Sequence, residues 1–372
     1  MKIIAFIRAY NAEKTISRAI ESIYNQRYDD FTLYVCDDAS DDETPQIISA
    51  FAKNDSRIVP ILIEERVDNR FVKYHCCILS HVVSKYKDED YFCLMDGDDE
   101  FHPDFFLKMI DFMGTNDLEW GACGFDIIDS LDHSIVETKS ESIVCDGKYL
   151  AENFLKYRRF TDDTWGHFYK VAILKKLKKL IVPYESNDLV NYFTNQPMTL
   201  EETITCKQSF ANYYNFEIIK NSKRIGILPD ALYKYYIYHN SVQRSYREGL
   251  FERRKLFYEV MRDFLLSYGD INEEKQNYLF AVYWRSVTDI VTLLLSSEIA
   301  LGQKLTCLLE IFACQLTKDC LKWEADPIYK NLSERNTYIQ SVLEWIRIQS
   351  DNWQYAFVIS EIEGNIRKGG NA

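Results

Sequence analysis

The sequence has little of what would mark a zinc-binding, secreted, membrane-spanning or nucleic-acid-binding protein. Its ten cysteines are scattered and include the vicinal pair Cys76-Cys77, but no CxxC pair occurs and no Cys/His spacing matches a zinc site. The opening MKIIAFIRAYNAEK loses its apolar character after a few residues, unlike a signal peptide. No apolar run approaches the ~18 residues of a membrane span, and the longest obvious one is Val291 to Leu295. The expectation is a reduced, cytoplasmic chain, with peripheral attachment at the inner face of a membrane left open. Positive charge is also short. The formal net charge is −13, which argues against nucleic acid as a partner. Two segments run against that trend, the five lysines from Lys170 to Lys179 and the basic stretch Lys220 to Lys255. They read either as solvated surface or as a local face for an anionic membrane or acceptor. No repeat of fixed period and no low-complexity segment is present.

What is present is globular material. The 372 residues are 47% hydrophobic and 27% charged, enough for one large domain and an appendage. The first third alternates apolar runs with helical spacing. Ile3 to Ile7, Thr32 to Cys36, Ile58 to Ile63 and Tyr91 to Met95 read as buried parallel strands. Between them lie helices with Ile16, Ile20 and Ile23 behind a cap at Asn11, and with Ile47, Ile48 and Phe51 behind a capping box at Ser40 to Glu43. A third carries Ile78, Val82 and Val83, and a fourth starts at Pro103 and carries Phe106, Met109, Ile110 and Met113. Ala122 to Ile128, Trp165 to Tyr169, Ile225 to Leu228 and Leu232 to Tyr238 are further strands, the last two flanking Pro229-Asp230, and Leu200 to Asn212 is a helix. From about Glu248 the pattern is helical nearly to the end, and the tail from Arg367 reads as disordered. The alternation predicts an α/β fold, a mostly parallel sheet with helices on both faces. Its ligand site falls beyond the carboxyl ends of the strands.

Three polar segments fall at those ends: Arg8 to Asn11, Asp37 to Ser40, and Asp96 to Glu100. The last places four carboxylates in five residues. Like charges crowd together at a cost unless a cation or a wet cleft relieves them. Hard cations such as Mg²⁺ or Mn²⁺ take oxygen ligands and bridge them to substrate phosphates. Gly97 lets the backbone approach a ligand closely. A calcium EF-hand loop is excluded, because Phe101 and Leu107 stand where Gly and Glu are needed. A dinucleotide loop is excluded, because the turn after the first strand contains no glycine. Asp37-Asp38 suits either a base or ribose contact or a helix-capping turn. Trp165 suits either an acceptor platform or the core.

The segments Ile7-Arg8-Ala9-Tyr10-Asn11-Ala12, Val35 to Ser40, and Asp96-Gly97-Asp98-Asp99 with Pro103-Asp104 together resemble the family 2 glycosyltransferases, inverting enzymes of the GT-A fold. Looser likenesses follow in Thr164 to Lys170, Leu200 to Thr203 and Leu232 to His239. The resemblance implies that Tyr10, with Ala9 and Asn11, meets the nucleobase and that Asp38 binds its edge. It implies that Asp96 contacts the ribose or the divalent cation, and that Asp98, across Gly97, ligates the cation held by the diphosphate. Lys73 stands where the family usually has Arg, which exchanges a fork for a point charge. Arg8 stands where a small residue or Pro is usual. His239 and Arg244 lie where a donor-closing loop is placed. The acceptor base falls on Glu202, where Asp is usual, with Glu201 as the alternative.

The resulting expectation is a GT-A domain over 1–247, divided into a nucleotide half (1–115) and an acceptor half (116–247), and a helical region over 248–372. The implied activity is metal-dependent, inverting transfer from a nucleotide-sugar donor, UDP-linked by resemblance, to a saccharide or lipid-linked acceptor. The helices at 248–372 offer a homodimer interface, a cover for the cleft or a membrane contact. The alternatives are a catalytically inactive scaffold or binding subunit, a metal-dependent nucleotidyltransferase and a carbohydrate-binding module.

Overall fold

The computed structural model describes residues 1–63, 82–176, 215–238, 246–324, 334–349 and 355–369. Two compact units divide the chain, Met1–Ser241 and Val242–Ala372.

The first unit is built on a mixed ten-stranded sheet. Its parallel core comprises β1 (Ile3–Ala9), β2 (Phe31–Asp37), β3 (Ile58–Leu62) and β4 (Tyr91–Asp96), in the order β3-β2-β1-β4. The continuous apolar runs become central strands because both faces are covered. Ile3, Ile4, Ala5, Ile7, Leu33, Val35, Phe92 and Cys93 have no exposure. Helix α1 (Ile16–Tyr24) buries Ile16, Ala19, Ile20 and Ile23 at helical spacing. Helix α2 (Thr44–Asn54) lies between β2 and β3, and α3 (Phe105–Thr115) buries Phe105, Phe106, Met109 and Met113 fully.

Beyond β4 the direction changes. The remaining strands are β5 (Glu100–Phe101), β6 (Trp120–Asp129), β7 (Ile135–Thr138), β8 (Ile143–Cys145), β9 (His167–Lys170) and β10 (Ile225–Ile237). The sheet continues β4-β9-β6-β10-β5, with β9 antiparallel to both neighbours and β6 parallel to β10. This is the α/β arrangement expected, with a helical region after it in the chain.

Three expectations are corrected. Pro229-Asp230 does not separate two strands; β10 runs through it, with register shifts between Leu228 and Ala231 and between Ala231 and Tyr233 that absorb the proline as a bulge. Asn11 does not cap α1, whose first flanking residue is Thr15. Ser40 does not cap α2 either; Asp42 accepts from the Thr44 amide at 3.0 Å instead. The helix predicted at Leu200 to Asn212 lies outside the described residues, as does Ile78, whereas Val82 and Val83 are buried.

The second unit contains helices at Leu250–Leu266, Glu273–Ser296, Leu301–Ala313, Gln315–Lys322, Arg335–Ile348 and Ala356–Gly369. Its core includes Trp284, Tyr283, Leu294, Leu308 and Phe312. Contrary to the run-length reading, Glu273–Ser296 is long and apolar enough to cross a membrane by length and composition, although 56% of the qualifying window is buried. Helical spacing disperses its apolar residues among polar ones, so no single run reveals it.

Candidate active site

The carboxyl ends of β1, β2 and β4 bring three expected segments to one sheet edge. In register, Arg8 stands beside Cys36 on one side and Asp96 on the other, and Ala9 stands beside Asp37. The loops after β1 and β2 are laced together. The Asn11 amide donates to Ser40 Oγ at 2.8 Å, and the Asp41 amide donates to Asn11 Oδ1 at 2.9 Å. Asn11 and Ala39 hold left-handed backbones at φ 48° and 55°, so both loops turn sharply. Asn11 therefore shapes this edge. Asp37 is buried and receives the Ser40 hydroxyl at 2.5 Å and the Ser40 amide at 3.1 Å. The doublet thus divides: Asp37 braces the turn, and Asp38 and Tyr10 are half-buried at the rim.

The acidic segment divides too. The Gly97 amide donates to the Arg8 carbonyl at 2.9 Å, and Thr15 Oγ1 donates to the Gly97 carbonyl at 2.9 Å. A Cβ at Gly97 would meet that Arg8 oxygen at 2.8 Å, so glycine is required by the close approach of two backbones. Asp99 has no exposure; it accepts from Tyr233 Oη at 2.6 Å and from the Tyr236 amide at 2.9 Å. Glu100 pairs with Arg18 at 2.9 Å and accepts from Tyr236 Oη at 2.7 Å. These two acids hold the loop to β10 and leave Asp96 and Asp98, both half-buried, to face the cleft.

Charge in the cleft is balanced by arginines. Arg8 donates from Nε to Asp96 Oδ1 at 3.2 Å and from Nη2 to the same oxygen. Burial opposes the guanidinium's charge, but Asp96, Tyr233 and Asp98 overcome it and raise its pKa. Arg18, on α1, donates to the Asp98 carbonyl at 2.5 Å and to Tyr238 Oη at 2.8 Å, and it lies over the Tyr236 ring. Asp98 is pushed up to about 6 by burial first and by Asp96 second, against the pull of Arg18 and Arg8.

One acid escaped the sequence reading. Asp163 is exposed at the loop before β9, its backbone carbonyl held by the buried Asn215 side chain. Surrounding protein, then Asp162 and Asp96, raise its pKa, with Arg8 opposing. The Asp162-Asp163 doublet ahead of a predicted strand was the available signal. Trp165, two residues on, lies parallel to Tyr233 (4.5 Å) and Tyr235 (5.4 Å), so its ring is core rather than a free platform. Lys73, Glu201, Glu202, His239 and Arg244 lie outside the described residues.

Among the described residues no group of three or more His, Cys, Asp or Glu side chains could hold a metal ion. Asp96 and Asp98 fit a different arrangement, in which a divalent cation takes one or two carboxylates and completes its shell from substrate phosphates and water. Asp98 suits it best, because its crowded carboxylate gains from a nearby cation, whereas Asp96 already engages Arg8.

Residues 5–177 match the family described as Glycosyl transferase family 2. EpsE of Bacillus subtilis, named provisionally as a glycosyltransferase, is 34% identical over 114 residues, 30% of this chain and 38% of that protein. WfgD of Escherichia coli, a UDP-Glc:alpha-D-GlcNAc-diphosphoundecaprenol beta-1,3-glucosyltransferase, is 28% identical over 41% of this chain and 51% of its own. These matches thus span between about a third and a half of the relatives' length. The structure of S. aureus TarS 1-349 with UDP-GlcNAc superposes with a TM-score of 0.53 at 16% identity, covering 86% of this chain and 81% of that one. The parallel core, the acidic loop after β4 and the matched segment converge on one likeness: residues 5–177 are similar to glycosyl transferase family 2.

Proposed function

We propose that this protein transfers a sugar, with inversion, from a nucleotide-diphosphate donor to a hydroxyl of a saccharide or lipid-linked acceptor in cell-surface glycan synthesis. The observation that carries the proposal is that one sheet edge holds Asp96 and Asp98 at and after the end of β4, Tyr10 after the adjacent β1, and Asp38 after β2 on the other side of β1. That edge offers a ring and an acceptor group for a base, and carboxylates for the diphosphate end, in the order a nucleotide sugar needs. A uracil base is supported by the UDP named for TarS and WfgD, and an undecaprenol-linked acceptor by WfgD alone.

A divalent cation bound at Asp98 would supply charge to the departing diphosphate. The rest falls to the chain. Asp99 and Glu100 hold the loop so that Asp98 faces the donor, and Arg18 fixes its backbone. Glu202, or Glu201, takes the acceptor proton as the hydroxyl attacks the anomeric carbon from the opposite face.

The test is a panel of nucleotide sugars with Mn²⁺, read as nucleotide release, on the native chain and Asp98→Asn. Release from one donor, lowered at least about a hundredfold in the variant, is expected. No turnover with any donor, together with a melting temperature unmoved by UDP and Mn²⁺, rejects the enzyme in favour of a scaffold.

A further inference from the structure

The cleft holds a positive charge that nothing in the expected donor-binding set includes. Arg8, next to last in β1, is in register with Asp96 on β4, and both of its described hydrogen bonds to that residue fall on Oδ1. The pair is not sealed in the core; the side chains are 29% and 32% exposed. The Asp98 carboxylate helps to raise the guanidinium's pKa, and the guanidinium opposes the rise at Asp163. Asp96 is the carboxylate that Arg8 touches, and Arg18 reaches the neighbouring Asp98 through its backbone carbonyl.

Two physical consequences follow. A divalent cation seated between Asp96 and Asp98 would stand against a fixed guanidinium, and like charges resist that. A diphosphate has the opposite preference. A guanidinium presents five N–H donors in a planar fork that matches phosphate oxygens, and it keeps its charge at any working pH.

We propose that Arg8 is a donor-binding residue: it clamps Asp96 in the empty site and takes the diphosphate when the nucleotide enters, giving this site a share of nucleotide affinity that needs no metal. This rests on the donor reading given above. Arg8 also lowers the site's affinity for a bare divalent cation, so that the cation arrives with the nucleotide.

The test is calorimetric titration of the full chain with UDP, and with GDP in parallel, in EDTA and in Mn²⁺, for the native protein, Arg8→Ala and Arg8→Lys. Direct Mn²⁺ titration without nucleotide is followed by electron paramagnetic resonance. The native protein is expected to bind nucleotide in EDTA. Arg8→Ala should lose about tenfold or more of that affinity, the loss being smaller in Mn²⁺. Arg8→Lys should fall between, because it keeps the charge and loses the fork. Bare Mn²⁺ should bind Arg8→Ala more tightly than the native chain. Thermal melts and circular dichroism establish that each variant is folded, and Arg8→Lys carries the comparison where Arg8→Ala is not. Equal nucleotide affinity in EDTA for native and variant overturns the proposal and leaves the donor reading intact. Native protein that binds only with Mn²⁺ overturns it likewise. Binding of neither nucleotide under either condition overturns both.

Discussion

Tyr233 donates its phenolic hydrogen to Asp99 across 2.6 Å, joining residues 134 positions apart in the sequence. Both side chains are wholly buried. The bond fixes the acidic loop after β4 to β10. Tyr233→Phe keeps the ring stacked on Trp165 and removes the hydroxyl, which also accepts from the Asp96 amide at 3.4 Å. It should cost about 1–3 kcal/mol, because a buried acceptor loses one of its partners. Urea denaturation of the two proteins measures it.

Asp98→Asn should separate function from stability. The Asp98 carboxyl is raised to about 6 by burial and by Asp96. A raised acid binds its proton more tightly folded than unfolded, so stability falls as pH climbs from the ordinary carboxylate range to about 6, and stays lower above it. Asparagine removes that loss. The variant should melt higher than native at pH 7 in EDTA, by up to about 2 kcal/mol after allowance for its partial exposure, and show no such gain at pH 4. Nucleotide release should fall in the same protein. Thermal melts at the two pH values, alongside the release assay, check both halves.

Gly97→Ala should disturb the site more than its size suggests. The new methyl would meet the Arg8 carbonyl at 2.8 Å and the Ala9 backbone at 3.4 Å. Either the Gly97–Arg8 hydrogen bond lengthens or β1 and the loop separate. A loss of about 1–3 kcal/mol is expected, with weaker UDP binding; a fully native melting curve and Kd contradict this account.

Arg18→Gln removes an ion pair to Glu100 and the hydrogen bonds to the Asp98 carbonyl and Tyr238. Arg18 touches the loop from behind, so it positions rather than binds. The loop should lose part of the about 1.5–3 kcal/mol of a hydrogen bond to a charged group, and UDP affinity should weaken about tenfold. Arg18→Lys should restore part of it, since the charge beside Glu100 returns without the fork.

The sequence made the parallel core legible because four buried strands had to be apolar throughout, as in Ile3 to Ile7 and Tyr91 to Met95. It hid β7, whose Ile135 and Val136 are exposed and follow no inward pattern, and β5, which has only two residues. Pro229 read as a break because proline rarely enters a strand, yet a bulge accommodates it. At the site, Asp96 and Asp98 were legible from their address at a strand end. The division of labour within the motif was not. Asp99 is assigned by Tyr233 and Tyr236, Asp37 by Ser40, and Arg8 by Asp96, all partners that only the folded sheet brings within reach. Asp163 was missed because its neighbour in space, Asp96, lies 67 positions before it.

The link between Asp99 and β10 also bears on how the protein is made. The acidic loop emerges from a ribosome long before Tyr233 and Tyr236 do, since they follow it by 134 and 137 residues. Until then Asp99 has neither of these partners, and the four carboxylates repel one another in water. A nascent chain halted near residue 115 therefore carries the whole signature of the motif without a pocket to show for it. The ability to capture nucleotide should switch on late in translation, once residues up to Ile237 have cleared the exit tunnel.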